Sequence, residues 1–251
     1  MKSLFRMILA LTIAIVTPLS AWSFGAHKQF SKEQIDAADA AVQQGDQARL
    51  LKDFSHARSS YLLALHVKQS DSELYNKLGV VEIQLKQFGA AERHLQRALA
   101  LDPQNVVILN NNGVVLCLKK RYSDAVQPLK EALALKESYA SAHLNLAEAW
   151  GGMGFMDRAM SEYTRAIELE PDILSGTNNG VVLNFSNPEQ KARVQYIFAR
   201  LYAMRGNADV AIEHLQRAKD EGCKFLDSVY KDSAFTILWQ DPRLARIVKR
   251  H

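Results

Sequence analysis

The chain has 251 residues, 48% hydrophobic and 23% charged, with 31 basic residues against 27 acidic ones for a net charge of +4. Charges of both signs are spread along the whole length, which fits solvated helix faces and argues against a nucleic-acid partner, whose footprint clusters Lys and Arg on one side. Two cysteines are present, a pair that invites a disulfide in an exported chain.

Residues 1–23 carry Lys2 and Arg6, an apolar run from Met7 to Val16, then Thr17-Pro18 and a small-residue site at Ala21-Trp22-Ser23. This is the layout of a secretory signal peptide, with cleavage expected after Ser23. The apolar run is too short to cross a bilayer core of about 30 Å. Export to the periplasm or the medium is therefore expected, with no stable membrane span left after cleavage. Losing Lys2 and Arg6 leaves 29 basic residues against 27 acidic, a mature charge of +2, so the pI near 9 carries little information. No cysteine follows the cut, which argues against a lipid anchor.

Residues 24–29 show no pattern and read as a frayed terminus. From Phe30 to Lys52 the composition is helical, with Ile35, Ala38, Ala41 and Val42 on one side and Ser31 as N-cap, Gln34 standing three residues on. Residues 24–37 are a lead-in, and from residue 38 a pattern returns at an interval of about 34 residues. Ala57, Ala91, Ala125 and Ala159 fall at that interval, as do Ala64, Ala98, Ala132 and Ala166, and Gly79 with Gly113. Within residues 72–105, Tyr75, Leu78, Val81 and Leu85 mark one amphipathic helix, and Ala91, Leu95, Ala98 and Leu101 a second. Gly79 and Ala91 let the two axes approach, and Asp102-Pro103 ends the pair. A helix pair repeated in phase in this way is a solenoid pattern, because one pair cannot bury its apolar face alone.

These residues resemble the tetratricopeptide repeat family. Residues 72–105 carry its pattern at Tyr75, Leu78, Gly79, Ala91, Leu95, Ala98 and Pro103, with Glu82 in place of an aromatic. Residues 106–139 carry it at Leu109, Gly113, Ala125, Leu129 and Ala132, with Asn112 for Leu and Glu137 for Pro. Residues 140–173 match at Leu146, Trp150, Ala159, Tyr163, Ala166 and Pro171, with Ala147 for Gly. Residues 38–71 match at Gly45, Ala57, Tyr61 and Ala64 and lack the proline. The resemblance implies an all-α, right-handed solenoid that binds another protein or peptide.

Residues 174–191 break the register. The segment is rich in Gly, Asn and Ser, and its Asn178–Leu183 repeats the string of Asn111–Leu116. It reads as a leftover half-repeat, a loop tucked against the stack, or a binding element. Ser186-Asn187-Pro188-Glu189 then opens a new helix. The string HLQRA occurs at His94 and again at His214, 120 residues on. Three periods account for 102 of these, and the remaining 18 are the length of the insert, so residues 192–225 are a fifth repeat. Residues 226–251 carry Val229, Tyr230, Phe235, Leu238, Trp239, Leu244 and Ile247, with Asp241-Pro242-Arg243 between two short helices. They read as the cap that a terminal repeat requires.

Cys117 falls inside a first helix and Cys223 after a distant second helix, so both are expected free or buried. His94 and His214 share one repeat phase and read as repeat surface. His56, His66 and His143 have no second ligand at metal spacing. No nucleophile elbow or phosphate loop occurs, and no catalytic carboxylate pair stands out. The reading is a non-enzyme without cofactor or metal.

In this family the first helices line a concave groove, and repeat positions two, five, six, nine, twelve and thirteen point into it. The resemblance carries this to Asn76, Lys77, Val80, Ile83 and Gln84, to Asn110, Asn111, Val114, Cys117 and Leu118, to Leu144, Asn145, Glu148, Gly151 and Gly152, and in the fifth repeat to Arg193, Tyr196 and Arg200. Asparagines beside aliphatic residues suit an extended peptide, since an amide both donates to and accepts from a backbone. The asparagines could equally bond only the neighbouring helix. Gly151-Gly152 either admits a ligand backbone or loosens a helix end, and Pro128 makes a mild kink. The expected function is an exported scaffold docking a partner peptide or helix in the groove. A structural subunit of an envelope assembly and a hydrolase or glycan-binding protein are the alternatives, and the oligomeric state is open.

Overall fold

The computed structural model describes residues 30–170, 173 and 188–249. The signal-peptide reading of residues 1–23, the frayed residues 24–29 and residues 174–187 of the insert lie outside the described residues. The described chain is helical throughout: α1 (Lys32–Leu50), α2 (Phe54–Leu65), α3 (Ser72–Gln84), α4 (Phe88–Leu101), α5 (Val106–Leu118), α6 (Tyr122–Leu135), α7 (Ala140–Gly152), α8 (Met156–Leu169), α9 (Pro188–Met204), α10 (Ala208–Asp220) and α11 (Pro242–Ile247), with 3-10 turns at Leu226–Ser228 and Ser233–Leu238. Successive helices pair as α1/α2, α3/α4, α5/α6, α7/α8 and α9/α10, and within the first four pairs each second helix packs on the first helix of the next, giving an α-solenoid. Ser31 caps α1 in a capping box with Gln34. That helix runs unbroken through residue 37, so the lead-in and the first repeat share one element.

The turn inside each pair is built the same way five times. Lys52, Lys86, Lys120, Gly154 and Gly206 all have positive φ, between 59° and 86°. They stand at one repeat position, the last displaced by the insert. At each turn the positive-φ residue donates its backbone N–H three residues back, as from Lys86 to the Ile83 carbonyl at 2.9 Å. The next residue donates five back, as from Gln87 to the Glu82 carbonyl at 2.8 Å. This is the Schellman closure, which satisfies carbonyls left over at a helix end. A left-handed conformation disfavours any residue with a Cβ, so three of the five turns hold a lysine against its preference. Lys86→Gly and Lys120→Gly should each raise stability by about 0.5–1 kcal/mol in denaturant unfolding.

Small residues set the distance within a pair. A Cβ built on Gly79 would lie 2.6 Å from Leu95 Cγ, and one on Gly113 2.4 Å from Leu129 Cγ. Gly45 meets the Tyr61 ring in the same way. The alanines of the second helices, Ala57, Ala91, Ala125, Ala159 and Ala211, are all fully buried. In the last two pairs alanines replace the glycine, and Ala147 and Ala199 are also fully buried. Close packing of this kind leaves little room to absorb an extra methyl.

Between pairs the core is largely apolar, and Glu82 and Asn112 depart from the repeat pattern within it. Glu82, where the repeat pattern has an aromatic, is fully buried and receives Arg58 Nε at 3.0 Å and His94 Nδ1 at 2.7 Å. A buried carboxylate needs such partners, so His94 is a tie between α3 and α4 and not plain repeat surface. His214 is likewise buried, stacked on Tyr202 and bonded to Gln195 Oε1 at 2.7 Å. The second departure is Asn112. Its Oδ1 is buried without a hydrogen-bond partner, at the position where Leu78 and Leu146 are buried in their repeats. Since an unmet buried acceptor costs about 1–3 kcal/mol, Asn112→Leu should stabilise the chain by about 1 kcal/mol in chemical denaturation.

The two ends are closed differently. Leu74, Leu78 and Val81 of α3 are buried against the preceding pair, whereas Ala40, Gln44 and Gln47, one period earlier on α1, are exposed. The first pair thus presents a largely polar outer face by composition. At the other end Val229, Phe235, Leu238 and Leu244 are fully buried with Ala211, Leu215 and Ala218 in one cluster. The tail covers the apolar side that the last pair would leave in water.

Candidate functional site: the concave groove

The first helices α3, α5 and α7 lie side by side and enclose a groove of about 450 Å³. Of the sequence-derived set, Asn76, Lys77, Val80, Ile83, Gln84, Asn110, Asn111, Val114 and Asn145 line it. Arg49, Glu73, Val107, Tyr139 and Ser141 line it as well. Glu73, Val107 and Ser141 are the position-two residues of their repeats, so the periodic rule reaches them. Arg49 on α1 is the position-twelve residue of the first repeat, so the rule reaches it too, whereas Tyr139, just before α7, is visible only in the stack.

The asparagines are paired across repeats. Asn111 Nδ2 donates to Asn76 Oδ1 and Asn145 Nδ2 donates to Asn110 Oδ1, both at 2.8 Å. Each bond links position five of one repeat to position six of the next, and so joins α3 to α5 and α5 to α7. The reading in which the asparagines bond the neighbouring helix thus holds. One amide group of each residue is spent on the neighbouring helix, while the Asn76 N–H pair and the Asn111 and Asn145 carbonyls are not engaged in these bonds. Asn76, Asn111 and Asn145 are half-buried, Asn110 nearly covered.

Lys77 is committed as well. Its Nζ donates to Asp46 Oδ2 at 2.8 Å and lies 3.6 Å from Glu73. Asp46 also accepts from the Tyr61 hydroxyl at 2.7 Å. Burial would raise the Asp46 carboxyl, but the bonds from Lys77 and Tyr61 outweigh it and hold the group below the usual carboxylate range. The groove therefore has no free basic clamp at Lys77, and its first end is close to charge-balanced.

Further along the face the carried-over residues part company. Leu144 is fully buried in the core between pairs. Leu118, Gly151 and Gly152 stand at the ends of α5 and α7, away from the groove lining. A Cβ on Gly152 would come within 2.6 Å of the Tyr122 ring, so this glycine, the last residue of α7, admits a neighbouring side chain. Glu148 lies on α7 beyond Asn145. The Tyr163 hydroxyl bonds to it, and burial pushes its carboxyl up to about 7 against the lowering effect of that bond. Burial, and then the nearby Glu148 charge, raise the Cys117 thiol. Both cysteines are free and partly buried.

Tyr196 and Arg200 require a correction, because the tail folds over them. Tyr196 is buried, its hydroxyl 2.8 Å from Ser228 Oγ and its ring 5.4 Å from that of Phe235. Arg200 Nε donates to Asp232 Oδ2 at 2.8 Å, and the Arg193 guanidinium lies over the Phe225 ring at 4.7 Å. The apolar residues of the tail signalled a cap; that the cap lands on the inner side of α9 did not show in the pattern. Groups of His, Cys, Asp and Glu able to hold a metal do not occur among the described residues.

Comparison with known proteins agrees with this architecture. The tetratricopeptide repeat profile matches residues 72–105. The chain is 30% identical over 141 residues to the BBSome complex member BBS4 of Xenopus tropicalis, covering 56% of this chain and 27% of that protein. It is 27% identical over 162 residues to the anaphase-promoting complex subunit cut9 of Schizosaccharomyces pombe, covering 64% and 22%. The chain thus spans about a quarter of the length of these two relatives. Among solved structures it is similar to one described as a functional characterization of Pseudomonas aeruginosa pilF, with TM-score 0.57 and 22% identity over 86% of this chain and 90% of that one. It is also similar to YrrB, described as a TPR protein with an unusual peptide-binding site, with TM-score 0.51 and 20% identity over 76% and 88%. These likenesses show the fold, and residues 72–105 match the tetratricopeptide repeat profile: the chain is a helix-pair solenoid similar to tetratricopeptide repeat proteins.

Proposed function

We propose that the chain is a non-catalytic scaffold, exported from the cytoplasm, that docks an extended segment of a partner protein in the groove between α3, α5 and α7. The observation that carries this reading is the amide row of Asn76, Asn111 and Asn145, whose uncommitted groups run along aliphatic Val80, Ile83 and Val114. A backbone in extended form offers N–H and C=O groups to such amides, and its alternate side chains go to the aliphatic surface. Support for export is the residue layout of positions 1–23.

Selection of random twelve-residue peptides on the protein tests the groove. A consensus is expected, and it should bind at least about tenfold more weakly to Asn76→Ala/Asn111→Ala, through the loss of one or two hydrogen bonds. Because these residues also tie helices together, Val114→Gln serves as a second variant that alters the groove without breaking the amide pairs. Peptides that bind both variants as well as wild type would sink the groove reading. They would favour a structural subunit working through its convex face, a role consistent with relatives that are named as members of complexes. Export is checked by N-terminal sequencing of protein from the producing cell: a chain beginning at Phe24 is expected, and retention of Met1 or of residues 2–23 refutes cleavage.

A further inference from the structure

Among the described residues, Glu148, at an inward repeat position of α7, is an acidic side chain without an ion-pair partner. It lies three residues beyond Asn145 and seven beyond Ser141 on α7, and residues at those spacings share a helix face. It holds the same repeat position as Val80 and Val114, which line the groove, and as Asp46. Asp46 shows what this position does when a cation is near: Lys77 donates to it at 2.8 Å. Around Glu148 the titratable neighbours are the Tyr163 hydroxyl from α8 and the Cys117 thiol from α5, and neither is positively charged. None of the ion pairs among the described residues includes Glu148. A half-buried carboxylate of this kind is under-compensated, and a cation from outside would complete it as Lys77 completes Asp46. Gly151, one turn further along α7, adds no side chain there.

We propose that Glu148 receives a Lys or Arg side chain of the docked segment, so that the partner presents a basic residue to the fourth repeat while its backbone runs along the asparagines. This rests on the groove reading above. Charge complementarity gives the occupant: the other end of the groove has its acids already paired, so the free negative position lies at Glu148 alone of the three position-nine and groove acids Asp46, Glu73 and Glu148.

The same peptide selection, run at pH 8 on wild type and on Glu148→Gln, decides the assignment. Wild type should enrich peptides with Lys or Arg at one fixed position. Glu148→Gln should lose that preference, keep the rest of the consensus, and bind the wild-type consensus peptide about tenfold or more weakly. A consensus with no fixed basic residue, or one whose basic residue survives Glu148→Gln unchanged, overturns the proposal and leaves the groove reading standing. A consensus indifferent to Asn76→Ala/Asn111→Ala and Val114→Gln strikes at the groove reading. A second readout needs no peptide: n-butylguanidinium is titrated into protein carrying carbon-13 in its glutamate carboxyls. The Glu148 carboxyl should then titrate at lower pH. A Glu148 titration that does not move overturns the proposal whatever the selection returns.

Discussion

Gly113→Ala is expected to destabilise the chain by about 2 kcal/mol, the middle of the range for overpacking a filled core. The new methyl would lie 2.4 Å from Leu129 Cγ, 2.6 Å from Cδ2 and 3.0 Å from Cδ1. Leu129 is fully buried, so its side chain has no open space into which to turn, and the α5/α6 pair has to spread. Overpacking of this kind costs about 1–3 kcal/mol, and the better helix propensity of alanine recovers only part of it. Gly151→Ala is the control. Its Cβ would meet nothing nearer than Ala159 Cβ at 3.8 Å, so that substitution should stabilise by up to about 1 kcal/mol through propensity. Denaturant unfolding of both variants, with amide exchange to locate the loss, provides the check. Repeat arrays open locally, so Gly113→Ala should lose protection first in α5 and α6. Equal effects from the two glycines would refute the role of Gly113 in setting the pair spacing.

Glu148→Gln is expected to leave stability near pH 4 unchanged and to raise it by about 2 kcal/mol at pH 8, because it removes a charge that burial disfavours. The carboxyl is raised from its ordinary 4.5 to about 7 by burial. A raised carboxyl pKa means that the folded chain holds the proton more tightly than the unfolded one. The favourable contribution is complete below about 4.5 and is lost as pH rises through about 7. Each unit is about 1.4 kcal/mol, so the window could supply about 3 kcal/mol, reduced because the side chain keeps some contact with solvent. Glutamine retains a partner for the Tyr163 hydroxyl and carries no charge, so the pH dependence goes with the carboxylate. Thermal melts of both proteins from pH 4 to pH 9 measure the difference. A gap of equal size at pH 4 and pH 8 would show that the side chain's shape, and not its charge, is at work. A basic peptide bound at Glu148 should reduce the gap at pH 8 by supplying the missing cation.

Much of this molecule was legible locally. The Ser31 cap with Gln34 and the close contact at Gly79 follow from residues within a helix or two of each other. Of the inward positions that the family resemblance implied, nine line the groove, and a helical period keeps them on one face. Lys52, Lys86 and Lys120 were in phase and still unannounced, because propensity points to glycine at a left-handed turn and the Schellman bonds override it. The buried set of Glu82, Arg58 and His94 was equally hidden. Glu82 stood where an aromatic was expected, and only the approach of α2 and α4 to α3 shows how its charge is met.

The amino-acid sequence by itself determined the repeat unit and the pairing of helices, while the family resemblance supplied which positions of each first helix turn inward. Those properties depend on residues three, four and sixteen apart, which local geometry brings together whatever the rest of the chain does. Only the tertiary structure decided that Asn111 and Asn145 turn to the preceding repeat, that Lys77 closes on Asp46, and that the tail takes Tyr196 and Arg200 out of the groove while Glu148 stays without a cation. Those contacts join residues 31 to 35 positions apart, and they depend on how one pair stacks on the next, a geometry set by the whole packed core.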